Sequence, residues 1–338
     1  MHKPITDALM GIPTKVADGI FQIQLPLPFA LDHVNVYLLE DGEGWILVDT
    51  GIHSDKSRAV LHNVLNKLTK SRPLKAVLAT HSHVDHIGAA GWICENWNAT
   101  LWVTKAEYDG LKQFLALDPA QSPDHAEMLA QFYHRGGVAQ SDYEKIISGL
   151  LGFQKSFHPL PQSYSELRPG DLAINGEHWK IFVNDGHTVA HTSLFNQDQK
   201  LLISGDQVLE KISSNVSVRF NQPSANPLLS WLDGLKALKH LPNETLVLPS
   251  HRQVIRNLHE RVDELVSGYE ENAQKTLRFC RTPSTAEDVL RGLFPRELHP
   301  FEHHLAFGET LAYLNFQLDK GSLITLGEES GIPLYRAV

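Results

Sequence analysis

The segment Thr80-His81-Ser82-His83-Val84-Asp85-His86 places three imidazoles and a carboxylate within six residues. It follows the apolar run Ala76-Val77-Leu78-Ala79, which reads as a buried strand. A buried strand that ends in histidine and aspartate delivers metal ligands to its carboxyl edge. Imidazole with carboxylate suits zinc, and iron or manganese less specifically. A histidine-rich surface turn is the alternative, but four matching ligand types at this spacing seldom arise from composition alone.

Other segments have the same build. Trp45 to Val48 is an apolar run that ends in Asp49-Thr50-Gly51. Trp179 to Val183 leads through Asn184 and Asp185 into Gly186-His187-Thr188, with His191 four residues beyond His187. Leu201 to Ser204 leads to Gly205-Asp206, and Thr245 to Ser250 leads to His251. Each is a strand with a candidate ligand at its C-terminal end, the edge where α/β sheets gather their ligands.

In order along the chain these are a strand-end Asp, H-x-H-x-D-H, a G-H-T histidine, a G-D aspartate and a late histidine. The series resembles the motif set of the metallo-β-lactamase-fold hydrolase superfamily. The resemblance implies an α+β fold, a four-layer αββα sandwich, over residues 1–258. It implies one metal held by His81, His83 and His187, and a second by Asp85, His86 and His251, with Asp206 bridging. Asp49 would stand behind the ligands and orient one. The implied cofactors are two zinc ions, with iron or manganese as substitutes. Asp206 stands where true β-lactamases of this superfamily have cysteine or serine, which argues against penicillin hydrolysis. His83 excludes the flavodiiron branch, which has glutamate there. Gln207 to Ile212 do not match the basic and aromatic patch of glyoxalase II. Mononuclear iron dioxygenases use a reduced ligand set, so Asp85, His86 and His251 together favour two metals.

Two ions roughly 3.5 Å apart can share a hydroxide at neutral pH. Such a nucleophile attacks a carbonyl carbon or a phosphorus, and Asp85 is the ligand placed to orient it and to act as the catalytic proton carrier. His33 and Asn35, at the start of the run Val34 to Leu39, are candidates for lining the substrate site.

Composition bounds the rest. A chain of 338 residues can bury a sizeable core and more than one domain. The net charge of −9 offers no footprint for nucleic acid or anionic membrane. No apolar run is long enough to span a bilayer, and Met1 to Asp7 lacks the pattern of a signal peptide, so a cytoplasmic protein is expected. Cys94 and Cys280 do not suggest a disulfide framework, and Cys94 reads as a core residue. After His86, Ile87 to Ile93 reads as one helix with its N-terminus at the cluster.

Residues from about 105 to 165 read as inserted helices. Leu111, Phe114 and Leu115, then Met128, Leu129, Phe132 and Tyr133, and then Ile146, Ile147, Leu150 and Leu151 recur at helical spacing. Singly these are core residues; together the segment is expected to form a lid or pocket wall. His125 and His134 read as polar lining or surface residues. Residues 259–338 read as a small winged-helix-like domain. A long helix spans Leu258 to Phe279, Ser284 to Glu287 is a capping box, a third helix carries Phe307 to Leu318, and a hairpin turns through Glu328-Glu329-Ser330-Gly331. Such a module resembles the one behind the hydrolase domain in the branch that includes a mitochondrial endoribonuclease. Its acidic residues outnumber its basic ones, so it is expected to pack, cover the site or form a homodimer, and not to bind duplex DNA. His299, His303 and His304 read as solvated helix histidines rather than a third metal site.

Two functions stay open. One is hydrolysis of a carboxylic ester, thioester or lactone, favoured because Lys200, Lys211, Arg219, Lys236 and Lys239 form no basic track while the inserted helices offer an apolar wall. The other is a metal-dependent endoribonuclease acting on single-stranded RNA. A small acyl substrate is the expected partner.

Overall fold

The computed structural model describes residues 10–28, 31–117, 123–329 and 331–338. The reading of Met1 to Asp7 and the turn residue Ser330 lie outside them. One sheet runs β1 (Thr14–Ala17), β2 (Ile20–Pro26), β3 (His33–Asp41), β4 (Gly44–Val48), β5 (Leu74–Leu78), β6 (Thr100–Val103) and β7 (Ser165–Glu166), paired in that order. The other comprises β8 (Gly170–Ile174), β9 (Glu177–Asn184), β10 (His191–Asn196), β11 (Leu201–Gly205) and β12 (Leu246–Pro249), again in chain order across the sheet. β4, β5 and β6 pair in parallel, as do β11 and β12, so their carboxyl ends point the same way within each sheet.

These strands read as continuous apolar runs because both faces are covered. Leu39, Val48, Leu78, Leu201 and Ile203 meet between the sheets. Their neighbours Leu38, Leu47 and Val77 face α1 (Asp55–Leu68), α3 (Ala90–Trp97) and α4 (Lys105–Leu115), where Leu61, Leu65, Ile93 and Leu111 close the outer core. Leu202 and Val247 face the opposite way, against α7 (Pro227–Ala237) with its Trp231 and Leu235. The result is the expected αββα sandwich.

The expected single helix after His86 is two pieces. α2 (Val84–Ile87) stops at Gly88 and α3 begins at Ala90. A Cβ at Gly88 would lie 2.2 Å from the Val84 carbonyl oxygen and 3.1 Å from that of Gly51, so the break is where backbone packs on backbone.

Among the described residues, the apolar stripes of the inserted helices pack into the cores and form no wall at the cluster. Leu111 belongs to the first outer core. Leu129, Phe132, Tyr133, Ile146 and Leu150, from α5 (Pro123–Arg135) and α6 (Gln140–Phe153), share one core with α7 and the C-terminal helices. Helical spacing identifies a buried face but not what covers it. Those C-terminal helices are α8 (Leu258–Phe279), α9 (Ala286–Leu293) and α10 (Pro300–Asp319), followed by the hairpin β13 (Leu323–Glu329) and β14 (Ile332–Ala337). A cleft of about 610 Å³ lies between the insertion and this module, lined by Met128, Phe132, Phe220, Leu311 and Pro333 among others and by none of the motif residues. The capping box of α9 lies one residue later than expected: Thr285 and Asp288 exchange the two bonds, while the Ser284 hydroxyl donates to the Phe279 carbonyl.

His303 and His304 are not solvated. His303 lies 2.9 Å from the Glu287 carboxylate, and His304 Nδ1 lies 2.6 Å from the Tyr133 hydroxyl. Burial, helped by His303, lowers the His304 pKa from 6.5 to about 4. Its contribution to stability is therefore complete above pH 6.5 and is lost as the pH falls toward about 4. A His304→Gln variant has no such proton to gain. The stability advantage of the natural protein over it is expected to shrink by on the order of 2 kcal/mol between pH 7 and pH 4 in denaturant titrations. A difference that stays constant with pH would remove this role for His304.

Candidate metal centre

The chain turns sharply at the end of β4. Asp49 has φ of 61°, uncommon for a residue with a side chain, and strain of this kind collects at functional sites. Its carboxylate accepts from the Thr80 main-chain N–H at 2.8 Å, from the Thr80 hydroxyl at 2.9 Å and from His86 Nδ1 at 2.8 Å. His81 Nδ1 lies 3.0 Å from the Thr80 hydroxyl oxygen. One buried carboxylate thus orients His86 directly and His81 through Thr80, leaving the Nε2 of each ring pointing inward.

His81, His83, His187 and Asp206 bring ligand atoms within 4.8 Å of one another, as do Asp85, His86 and His251. His187 Nε2 stands 3.2 Å from His81 Nε2, and His83 Nδ1 stands 3.0 Å from it on another side. Asp206 lies between the groups. Its Oδ2 is 3.3 Å from His187 Nε2 and 4.0 Å from His81 Nε2. Its Oδ1 is 3.6 Å from His86 Nε2 and 3.7 Å from His251 Nε2. Asp85 Oδ2 is 3.3 Å from His251 Nε2 and 3.6 Å from His86 Nε2. Every residue that the resemblance implied as a ligand reaches this cluster.

The donor set fits divalent cations. His187 Nδ1 donates to the Asn215 carbonyl at 2.6 Å, and its Nε2 faces that of His81. Burial holds the His81 pKa well below the ordinary histidine value, and burial with the neighbouring His187 lowers that of His83 to about 3, so both rings are neutral. His86 Nε2 and Asp206 Oδ1 are buried with no hydrogen-bond partner. Burial pushes the Asp206 carboxyl up, but His86 and His251 overcome it and hold it well below the usual carboxylate range. Against their burial, Asp206 and Asp85 in turn raise the pKa of His86 and His251, so carboxylates and imidazoles here compensate one another's charge in a donor set of the type that binds divalent cations.

His33 and Asn35 do not line an open site. Asn35 is buried, and its amide donates to the main-chain carbonyls of Pro249 at 2.9 Å and Arg252 at 3.0 Å. The Tyr37 hydroxyl donates to the Pro249 carbonyl as well, at 2.8 Å. These bonds fix the turn that presents His251. His33 is buried too, and its carbonyl accepts from His251 Nδ1 at 3.1 Å. The Asn35 side chain and the His33 main chain thus act behind His251.

Two further residues have roles that the motif series does not assign. The fully buried His191 accepts the Asp206 main-chain N–H on Nε2 at 3.0 Å. Gly205 has φ of 54°, and a Cβ there would lie 2.6 Å from that nitrogen, so glycine before Asp206 is required. Glu107, on the first turn of α4, is completely buried. It accepts the N–H of Ser82, between two ligands, at 2.9 Å, and the N–H of Ala190, just past His187, at 2.7 Å. A Thr-x-x-Glu pattern at Thr104–Glu107 is the one signal that marks it. Replacing Glu107 with Ala leaves two buried N–H groups without partners, each costing about 1–3 kcal/mol. We expect a lower melting temperature and metal binding weakened by roughly 10–100-fold, measured by competition with a chelator. Unchanged metal affinity would confine Glu107 to folding.

Residues 30–251 match the family model described as metallo-beta-lactamase superfamily. The chain belongs to the metallo-beta-lactamase superfamily. Residues 273–338 match a second model, the metallo-beta-lactamase-like C-terminal domain. A crystal structure of a beta-lactamase domain protein from Burkholderia ambifaria superposes with a TM-score of 0.88 at 32% identity, covering 99% of this chain and 97% of that one. The metallo-beta-lactamase family protein TTHA1429 from Thermus thermophilus gives 0.81 at 26% identity, covering 96% of this chain and all of that one (100%). Among curated proteins, the probable metallo-hydrolase YqjP of Bacillus subtilis is 24% identical over 88% of this chain and 92% of its own length. These likenesses and the His/Asp cluster make the chain a metal-dependent hydrolase of this superfamily. No helix among the described residues is long and apolar enough to cross a membrane.

Proposed function

We propose that the protein hydrolyses a small carboxylic ester, thioester or lactone with two divalent ions, zinc being the expected metal. His81, His83 and His187 would hold one ion, Asp85, His86 and His251 the other, and Asp206 both. Such ions lower the pKa of water toward ~7 and polarise the oxygen that gains charge. The chain's own part is to fix the donors and to manage the proton. Asp85 is the most accessible of the three carboxylates, at 16% against 8% for Asp206 and 2% for Asp49. It can orient the attacking water and take its proton. A thiolate or lactone alkoxide leaves with little further acid help.

The observation that carries the acyl reading is the state of the cations between Ala190 and His251. Lys200 pairs with Glu244 at 2.7 Å, Lys211 with Glu210 at 2.7 Å and Arg219 with Asp185 at 3.1 Å. Lys239 pairs with Asp263 at 2.7 Å and Lys236 with Glu270 at 3.8 Å. A polyanion needs cations free to neutralise phosphates. In the C-terminal module Arg291 and Arg296 are likewise engaged, by Glu287 and Glu302.

The test is a parallel assay of acyl thioesters, aryl esters, lactones and single-stranded RNA on the same metal-loaded protein. Turnover of at least one acyl class, abolished by His83→Ala, is expected. The full-length chain is also expected to show no salt-dependent affinity for duplex DNA at low salt. RNA cleavage that requires His83, with no acyl hydrolysis, would replace this reading with an endoribonuclease.

A further inference from the structure

Between β11 and α7 the chain runs through residues 207–226 without a helix or strand. Its first part leaves Asp206 and then passes beside His187. Such a segment has many conformations to lose. The C-terminal helices hold it. Arg261 on α8 donates from Nε to the Leu209 carbonyl at 2.7 Å and from Nη2 to that of Ile212 at 2.8 Å. Tyr269 on α8 donates its hydroxyl to the Ser214 carbonyl at 2.6 Å. From α10, the Gly308 carbonyl accepts the Val218 N–H at 3.0 Å. The Asn215 amide donates to the Leu305 carbonyl at 3.1 Å and to the Glu309 carboxylate at 3.0 Å.

Two consecutive residues pass this grip to the cluster. The Ser214 hydroxyl donates to the main-chain carbonyl of Asp206. The Asn215 main-chain carbonyl accepts from His187 Nδ1 at 2.6 Å. Glu309 is itself oriented by the Tyr313 hydroxyl at 2.6 Å, and the Asn215 side-chain oxygen accepts from the Ser217 hydroxyl. The group behind a metal-binding histidine sets its tautomer and aim, and its loss weakens metal binding. Here that group is a loop carbonyl whose position depends on a helix about 90 residues further along the chain.

We propose that α10, through Glu309 and Asn215, positions His187, and that α8, through Tyr269 and Ser214, positions Asp206. The C-terminal helices are then a working part of the metal centre and not an appended module. This rests on His187 and Asp206 being ligands. Glu309, Asn215, Tyr269 and Ser214 are positioning residues that touch no substrate.

The experiment titrates full-length protein with cobalt(II), reading the visible d–d spectrum and the dissociation constant by chelator competition. Asn215→Ala and Glu309→Ala are expected to raise the cobalt dissociation constant by about 10-fold or more and to shift the spectrum. Glu309→Gln keeps an acceptor for Asn215 and is expected to restore most of the loss. Leu314→Ala, a buried core change on α10 at a residue that makes none of these bonds, is expected to lower the melting temperature with cobalt affinity within about twofold of the natural protein. If Asn215→Ala does not fold, Asn215→Asp places a carboxylate against Glu309 at the same volume and is expected to weaken cobalt likewise. Natural affinity and spectrum in the Asn215 and Glu309 variants, with loss in His187→Ala, overturn the proposal alone. Equal loss in Leu314→Ala overturns it too. Natural affinity in His187→Ala overturns the ligand assignment beneath it.

Discussion

Replacing Asp206 with Ala is expected to empty at least one metal position and to lower kcat/KM by roughly 10³-fold or more, about 4 kcal/mol of transition-state stabilisation. Each carboxylate oxygen faces a different ligand group, Oδ2 toward His187 and Oδ1 toward His86 and His251. Among the described residues Asp206 is the carboxylate that the ion-pair distances place within 4.0 Å of ring nitrogens in both groups. Without it the imidazoles of the two groups converge with no negative charge between them. Asp206→Asn keeps the shape, loses the charge and halves the acceptor capacity, so it should fall between. Metal content by mass spectrometry and steady-state kinetics on an acyl substrate read the effect, with circular dichroism as the check on folding. Two ions per chain and near-natural turnover in Asp206→Ala would defeat the bridging role.

The candidate ligands were legible in the sequence because each is a local event, a histidine or aspartate at the end of an apolar strand. Parallel neighbours such as β4 and β5, or β11 and β12, bring those ends together without further information. Apart from Asp49, what supports the candidate ligands was not legible. Glu107 meets Ala190 across 83 positions and Asn215 meets Glu309 across 94, and neither residue has an unusual type or neighbourhood. Asn35 shows the reverse error. Its type and position suggest a polar lining residue, but the carbonyls of Pro249 and Arg252 consume its donors. The inserted helices show a similar limit. The spacing of Leu129, Phe132 and Tyr133 marks a buried stripe, and α10, with Phe307 against Phe132 and Tyr133, supplies the cover.

Asp85→Asn separates holding metal from moving a proton. The substitution preserves the side-chain volume and leaves an oxygen able to face His86 and His251, from which Asp85 Oδ2 now stands 3.6 and 3.3 Å. The His81 group and Asp206 are untouched, so at least one ion should remain. The amide cannot accept the proton that an attacking water gives up. Positioned acid–base groups contribute typically about 10²–10⁴-fold, so kcat is expected to fall by about 10³-fold while KM changes little. The loss should be largest for substrates with poor leaving groups, because a carboxyl that has taken the water's proton is the group that would return it to the departing oxygen or sulfur. An aryl ester and an alkyl ester of the same acid compare the two cases. A loss confined to KM, or a fall in kcat fully restored by excess metal, would make Asp85 a ligand only and leave the proton to bulk water.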